Sequence, residues 1–243
     1  MESRNIKLYV DFDGTVTRRD VGNEFFRHFG GELCDRIVSE YRGEKMSAQE
    51  CFRGEAAAMR PFSLDEARAL LAQQKVDETF GALVTFCRHN SIDLSIVSDG
   101  LDFYIQEILT VRGFHDIQVF ANRAELIPEA NGLFSLSVHF PYSDAECDRC
   151  GCCKRNIMLT HSGEDEIIVF VGEGYSDRCP AEYADIVFAK DALQTYCQER
   201  NISYFLYTSF ADVVSRLTNL LEGKNIRKRR NAALRRREAF LAE

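Results

Sequence analysis

Val10-Asp11-Phe12-Asp13-Gly14-Thr15 sets two carboxylates one residue apart at the end of the apolar run Ile6 to Val10. The run reads as a short buried strand, and in an open α/β sheet ligands bind beyond the carboxyl ends of the strands. Asp11 therefore stands at the mouth of a site. Gly14 lets the chain turn immediately afterwards, so Asp13 can be aimed separately at the same ligand. Such a pair can supply a phosphate-attacking nucleophile and an acid/base partner from one turn. The competing reading is a plain acidic turn.

Three later segments bear on that choice. Leu94-Ser95-Ile96-Val97-Ser98-Asp99-Gly100 is another apolar run ending in small polar residues, with the Ser98 hydroxyl placed to donate to a phosphate oxygen. Lys154, in Cys152-Cys153-Lys154-Arg155-Asn156-Ile157-Met158, stands where a helix is expected to start, and one ammonium there can neutralise phosphate and developing charge. Ile167-Ile168-Val169-Phe170-Val171-Gly172-Glu173-Gly174-Tyr175-Ser176-Asp177 is a strand leading to a Gly-flanked carboxylate with a second carboxylate four residues on. That pair has the look of a magnesium site.

In this order, the Asp-x-Asp-Gly-Thr turn, the strand-end Ser, the Lys and the Gly-acid-Gly-x-Ser-Asp segment resemble the haloacid dehalogenase superfamily of phosphatases, in its phosphoserine-phosphatase-like branch. The resemblance spans roughly residues 6 to 210. Within that branch, Ser98 to Tyr104, the Cys-Gly-Cys-Cys-Lys segment and Ser176 to Lys190 look most like the methionine-salvage phosphatases. It implies an α/β fold, a doubly wound parallel sheet with a small helical cap inserted after the first strand. Asp11 would be the nucleophile, forming an aspartyl-phosphate. Asp13 would protonate the leaving oxygen and then activate water. Mg2+ would be held by Asp11, the Asp13 carbonyl and Glu173, with Asp177 in the metal set or orienting Lys154 beside it. Ser98 and Lys154 would clamp the phosphoryl oxygens, flanked by Asp99 and Gly100. Asp20 and Arg53 fall near positions where relatives place an acid and an Arg facing substrate; solvated helix charges are the alternative. The chain departs from the family at Glu173, where Asp is usual, so the charge is kept and the reach is lengthened.

The cap is expected over residues 17–84, the catalytic core over 1–16 and 85–223, and a basic helix or tail over 224–243. Helices are expected at Val21 to Phe29, Leu33 to Tyr41, Ala48 to Met59 and Leu64 to Gln74, with Phe25, Phe26 and Phe29 as cap core. Strands are expected at Asp93 to Val97, Ile117 to Ala121, Ile167 to Val171, Ile186 to Ala189 and Tyr204 to Tyr207. Asn131-Gly132 marks a hairpin with arms Ala121 to Pro128 and Leu133 to Phe140.

Composition agrees with a folded enzyme. The chain has 243 residues, 45% of them hydrophobic, enough for a sizeable core. A net charge of −8 argues against general nucleic-acid binding, and no apolar run approaches the roughly 20 residues that span a bilayer. The N-terminal residues carry no apolar signal core, and the nine cysteines, an odd count, suit reduced thiols and a cytoplasmic protein. Cys147, Cys150, Cys152 and Cys153 crowd one stretch without a matching second pair, so a reduced loop is expected ahead of structural zinc. The run from Lys224 to Arg237 holds eight of thirty basic residues; it is expected as a solvated helix, the alternatives being an anionic partner such as a phosphate-rich surface, nucleic acid or an acidic protein, and docking on its own acidic chain. The expected partner is a small phosphorylated metabolite. A phosphotransferase using the same intermediate and a pseudo-phosphatase binding module are the rival readings.

Overall fold

A computed structural model describes residues 5–145, 147, 149–223 and 226–242. In chain order they form β1 (Ile6–Val10), α1 (Val21–Gly30), α2 (Glu32–Arg42), α3 (Ala48–Ala58), α4 (Leu64–Ala72), α5 (Phe80–His89), β2 (Asp93–Leu101), α6 (Asp102–Val111), β3 (Gln118–Pro128) and β4 (Phe134–His139). Then follow α7 (Lys154–Thr160), β5 (Ile167–Gly172), α8 (Arg178–Tyr183), β6 (Ile186–Ala189), α9 (Asp191–Glu199), β7 (Phe205–Leu206), α10 (Phe210–Glu222) and α11 (Arg230–Ala242). The fold is α/β with a mostly parallel sheet. Two compact units are distinguishable, one made of the chain up to Val16, Val76–Val97 and the chain from Lys154, the other of Thr17–Lys75 and Ser98–Cys153.

In the first unit the strands run β2-β1-β5-β6-β7, all parallel. β5 is buried along its whole length and β1 everywhere but Lys7, as expected of strands covered on both faces. Two registers place the site. Val10 pairs with Val171 across β1 and β5, and the Asp11 N–H continues the ladder to the Val171 carbonyl at 2.9 Å. Asp11 and the Gly172-Glu173 turn therefore leave the sheet side by side. From β1 the chain order runs to β2 on one side and to β5 on the other, which makes this edge a switch point of the sheet.

The second unit holds α1 to α4, α6 and the β3–β4 hairpin. Asp20 caps α1 by accepting from the Asn23 N–H at 2.7 Å, and Ser47 with Glu50 forms a capping box on α3. Phe25, Phe26 and Phe29 are buried core, Phe25 meeting Phe62, Phe103 and Tyr104 at ring-centroid distances of 5.8, 6.1 and 6.1 Å. The two strands expected around Ala121 are one continuous eleven-residue strand, because the backbone stays extended through Ala121 and Asn122 instead of turning. The turn at Asn131-Gly132 does form, both residues in the left-handed region at φ 60° and 73°. Its far arm, β4, runs antiparallel to β3.

The basic segment is only partly solvated. Arg229 and Arg236 reach Asp185 and the carbonyls of Ala181, Glu182 and Tyr183; Arg235 pairs with Glu182 at 2.8 Å; Lys228 donates to the Glu164 carbonyl. Arg235 and Arg236 thus dock α11 against α8 and Arg229 does so just ahead of it, while Arg227, Arg230 and Arg237 stay exposed. Lys224 and Asn225 lie outside the described residues.

Candidate active site

Three charged side chains meet under the carboxyl ends of β1 and β5. Lys154, the first residue of α7 and 1% exposed, sends its Nζ to Asp11 Oδ1 and to Asp177 Oδ1, both at 2.6 Å, and to Ser176 Oγ at 3.1 Å. Asp177 is wholly buried. Its second oxygen accepts the N–H groups of Glu173 and Gly174 at 2.8 and 2.9 Å, so one carboxylate fixes both the lysine and the Gly172-to-Gly174 backbone. Those bonds suit Asp177 to the orienting role and leave its oxygens engaged by nitrogen donors.

The turn after β1 supplies the opposite wall. Asp13 is half-buried, and Gly14 has φ 74°. The backbone at this position calls for glycine, and a β-carbon on Gly14 would sit 2.9 Å from Glu173 Oε1 and displace the carboxylate packed against the turn. Thr15 is buried, within electrostatic reach of Asp11 and Tyr207, yet its hydroxyl makes no hydrogen bond of good geometry with a protein group.

Electrostatics follow from this inventory. Burial, then the neighbouring Asp177 charge, push the Asp11 carboxyl up to about 7 against the pull of Lys154. For Lys154, burial alone would favour the neutral amine, but Asp11 and Asp177 more than offset it and the ammonium is held above its ordinary range. Two buried carboxylates share one buried ammonium, which leaves a surplus of negative charge at the sheet's edge.

In the second unit Ser98 is buried and its hydroxyl accepts from the Gly100 N–H at 2.9 Å. Asp99 Oδ1 accepts the N–H groups of Gly151 and Cys152, both at 2.8 Å, and thereby organises the loop that leads into Lys154. Arg53 bonds Gln49 at 3.3 Å and lies over the Phe140 ring at 5.0 Å, while Asp20 serves the α1 cap. Cys152 and Cys153 are buried, Cys147 and Cys150 half-exposed, and all nine cysteines are free thiols. Among the described residues no group of three His, Cys, Asp or Glu side chains is placed to hold a metal ion. Ser176, Thr15 and Tyr207 were not singled out from sequence. Ser176 could have been, as the polar residue beside Asp177; Tyr207 follows its strand with no motif around it.

Glu55 of α3 is a second buried acid. Its exposure is 4%, the Cys51 thiol donates to it at 3.8 Å, and burial followed by the nearby Asp20 raises it to about 8. An acid raised on folding binds a proton more readily in the folded chain, so its ionisation costs stability as pH climbs from the ordinary 4.5 towards 8. Glu55→Gln should therefore stabilise the protein by on the order of 2–3 kcal/mol above pH 8 and by nearly nothing below the unfolded value. Urea unfolding at pH 4.5, 7 and 9 checks this, and a gain that does not change with pH refutes it.

Parallel strands deliver a buried Asp–Lys–Asp trio to the switch point of the sheet, and the sequence relatives of this chain are phosphatases by name. The chain belongs to the Putative Phosphatase family, whose model matches residues 6–202. It is 28% identical over 225 residues to a 2-hydroxy-3-keto-5-methylthiopentenyl-1-phosphate phosphatase of Bacillus cereus, covering 90% of this chain and 99% of that protein. The enzyme of the same name from Geobacillus thermodenitrificans is 29% identical over 222 residues, covering 89% and 97%. Among solved structures, a phospho-aspartyl intermediate analogue of phosphoserine phosphatase superposes with TM-score 0.67 at 17% identity, over 88% of this chain and all but 1% of that one, covering 99%. A probable phosphoserine phosphatase from Vibrio cholerae gives TM-score 0.70 at 14% identity, covering 93% and 68%. The fold is thus that of the phosphoserine phosphatases.

Proposed function

We propose that this protein is a magnesium-dependent phosphatase that hydrolyses the phosphate monoester of a small metabolite through an aspartyl-phosphate on Asp11. The observation that carries the reading is the 2.6 Å contact of buried Lys154 with both Asp11 and Asp177. Lys154 engages Asp11 Oδ1 and leaves Oδ2 to attack phosphorus. As the Asp11–phosphorus bond forms, the ester oxygen–phosphorus bond breaks and Asp13 gives that oxygen its proton. Asp13 then takes a proton from water, which attacks the phosphorus and releases phosphate and Asp11.

The donor set fits a hard divalent cation. With Asp11 ionised the trio carries one more negative than positive charge, the Thr15 hydroxyl is buried without a hydrogen-bond partner in the protein, and the Glu173 carboxylate lies against the turn that bears Asp13. Asp11, the Asp13 carbonyl and Glu173 would hold magnesium, which commonly takes only one or two carboxylates beside water and phosphate. What the ion supplies when bound is neutralisation of the phosphoryl charge. Ser98, Asp99 and Gly100, with Asp20 and Arg53, are the substrate-contacting residues that the resemblance assigns, and residues 17–84 the lid. The named activity of the relatives supports a small phosphorylated substrate. The free thiols suit a reducing cytoplasm, and no helix among the described residues is long and apolar enough to cross a membrane.

The test is release of phosphate from p-nitrophenyl phosphate, phosphoserine, phosphocholine and methionine-salvage phosphates, with and without magnesium. No hydrolysis of any of these at any magnesium level would sink the reading, and transfer to an alcohol in preference to water would make the protein a phosphotransferase. Glu173 is informative here. Glu173→Ala should weaken magnesium binding at least about tenfold. Glu173→Asp should match or exceed wild type at low magnesium, since the shorter acid suits the remaining ligands. Unchanged magnesium dependence in the alanine variant would remove Glu173 from the metal set. An inert wild type rescued by Glu173→Asp would identify a pseudo-phosphatase.

A further inference from the structure

Tyr207, just past β7, is a buried polar side chain that the mechanism leaves unused. It is 2% exposed, lies tilted by 34° against Phe210 with ring centroids 6.3 Å apart, and carries the Lys190 ammonium over its ring at 5.2 Å. Its O–H donates to the Gly172 carbonyl at 3.3 Å. Burial of the phenol, with Asp177, Asp11 and Glu173 all within electrostatic reach, pushes it well above its ordinary value. It is a buried hydrogen-bond donor to the backbone, where phenylalanine would fill the same apolar space.

The backbone it grips is the one that carries Glu173. The Gly172 carbonyl is held by Tyr207, the Glu173 carbonyl by the Leu193 N–H at 2.7 Å, and the N–H groups of Glu173 and Gly174 by Asp177. Lys190 and Leu193 flank Asp191, whose φ of 48° marks a strained junction at the start of α9. Lys190 has no carboxylate partner among the described residues, and a cation over a phenol ring draws electron density from the oxygen, which strengthens its O–H as a donor.

We infer that Tyr207 is a positioning residue, with Lys190 as its support, that holds the Gly172–Gly174 segment so that Glu173 presents its carboxylate to the metal. This rests on the reading of Glu173 as a magnesium ligand. The experiment is calorimetric titration of the full chain with magnesium chloride alone, for wild type, Tyr207→Phe, Lys190→Met and Lys190→Arg, with melting temperatures alongside. Tyr207→Phe should bind magnesium about tenfold more weakly, Lys190→Met a few-fold more weakly and Lys190→Arg nearly as wild type. In turnover, Tyr207→Phe should raise the magnesium requirement while KM for the phosphate ester stays put. Equal magnesium affinity in wild type and Tyr207→Phe overturns the inference, whatever the melting temperatures do. If Tyr207→Phe does not fold, Lys190→Met decides alone, and wild-type affinity in it overturns the inference too. A wild type that binds no magnesium brings down the metal reading first and this inference with it.

Discussion

Asp11→Asn should lower phosphatase turnover by at least about 10⁴-fold while leaving the protein folded, because it deletes the nucleophile and keeps its shape. The amide oxygen can still accept from Lys154, whose Nζ sits 2.6 Å from Asp11 Oδ1. Stability should not fall and should rise at high pH. Burial and Asp177 hold the Asp11 carboxyl up near 7, so above that pH its ionisation opposes folding, and asparagine removes the cost. Steady-state kinetics and thermal unfolding at pH 6 and pH 8.5 separate the two effects. Intact-mass measurement of acid-quenched wild type during turnover should show one added phosphoryl group, absent from the variant. Turnover at the wild-type rate in Asp11→Asn would end the case for this nucleophile.

Lys154→Met should be the most destabilising single change in the site, by about 3–5 kcal/mol, because it leaves two buried carboxylates without their shared cation. The loss should depend on pH in a definite direction. The ammonium is held above its ordinary range, so its contribution is fully present across neutral pH and the wild type is little affected there. In the variant, the strain comes from Asp11 ionised in its buried site without the lysine, and protonating Asp11 relieves it. Destabilisation should thus be greatest above pH 7 and shrink towards pH 5. Lys154→Met with Asp11→Asn should recover part of the loss, since neighbours in one charge network do not add. Chemical denaturation of the four proteins gives the coupling directly; strict additivity would mean that the trio is three separate contributions and not a unit. Activity should disappear in both variants that lack Lys154.

Together these changes ask whether one network serves both chemistry and folding. Asp177 joins the two tasks: one oxygen meets Lys154 and the other ties the N–H groups of Glu173 and Gly174. The polar cost of the site is thereby met within the protein, apart from the buried Thr15 hydroxyl and the surplus negative charge on the Asp11 side.

Much of the site was legible from local sequence. Val10 to Thr15 reads as strand and turn because the apolar run, the acid pair and Gly14 constrain a few consecutive residues, and backbone preference acts at that range. The same holds for Gly172 to Asp177, for the start of α7 at Lys154 and for the Asn131-Gly132 turn. Residues such as Phe25, Phe26 and Phe29 announced a buried helix face by spacing alone. What sequence could not reveal was which charges compensate which. Lys154 meets Asp11 across 143 positions of chain, Asp99 is spent on the N–H groups of Gly151 and Cys152, and three of the eight basic side chains of the last segment dock on α8 and the Asp185 beyond it. Ser176 and Tyr207 likewise meet their hydrogen-bond partners only in the packed chain. Local chain chemistry selects strands, turns and caps, but a buried charge must find its partner wherever the packed chain delivers one, and the register of β1 against β5 decides that for this protein.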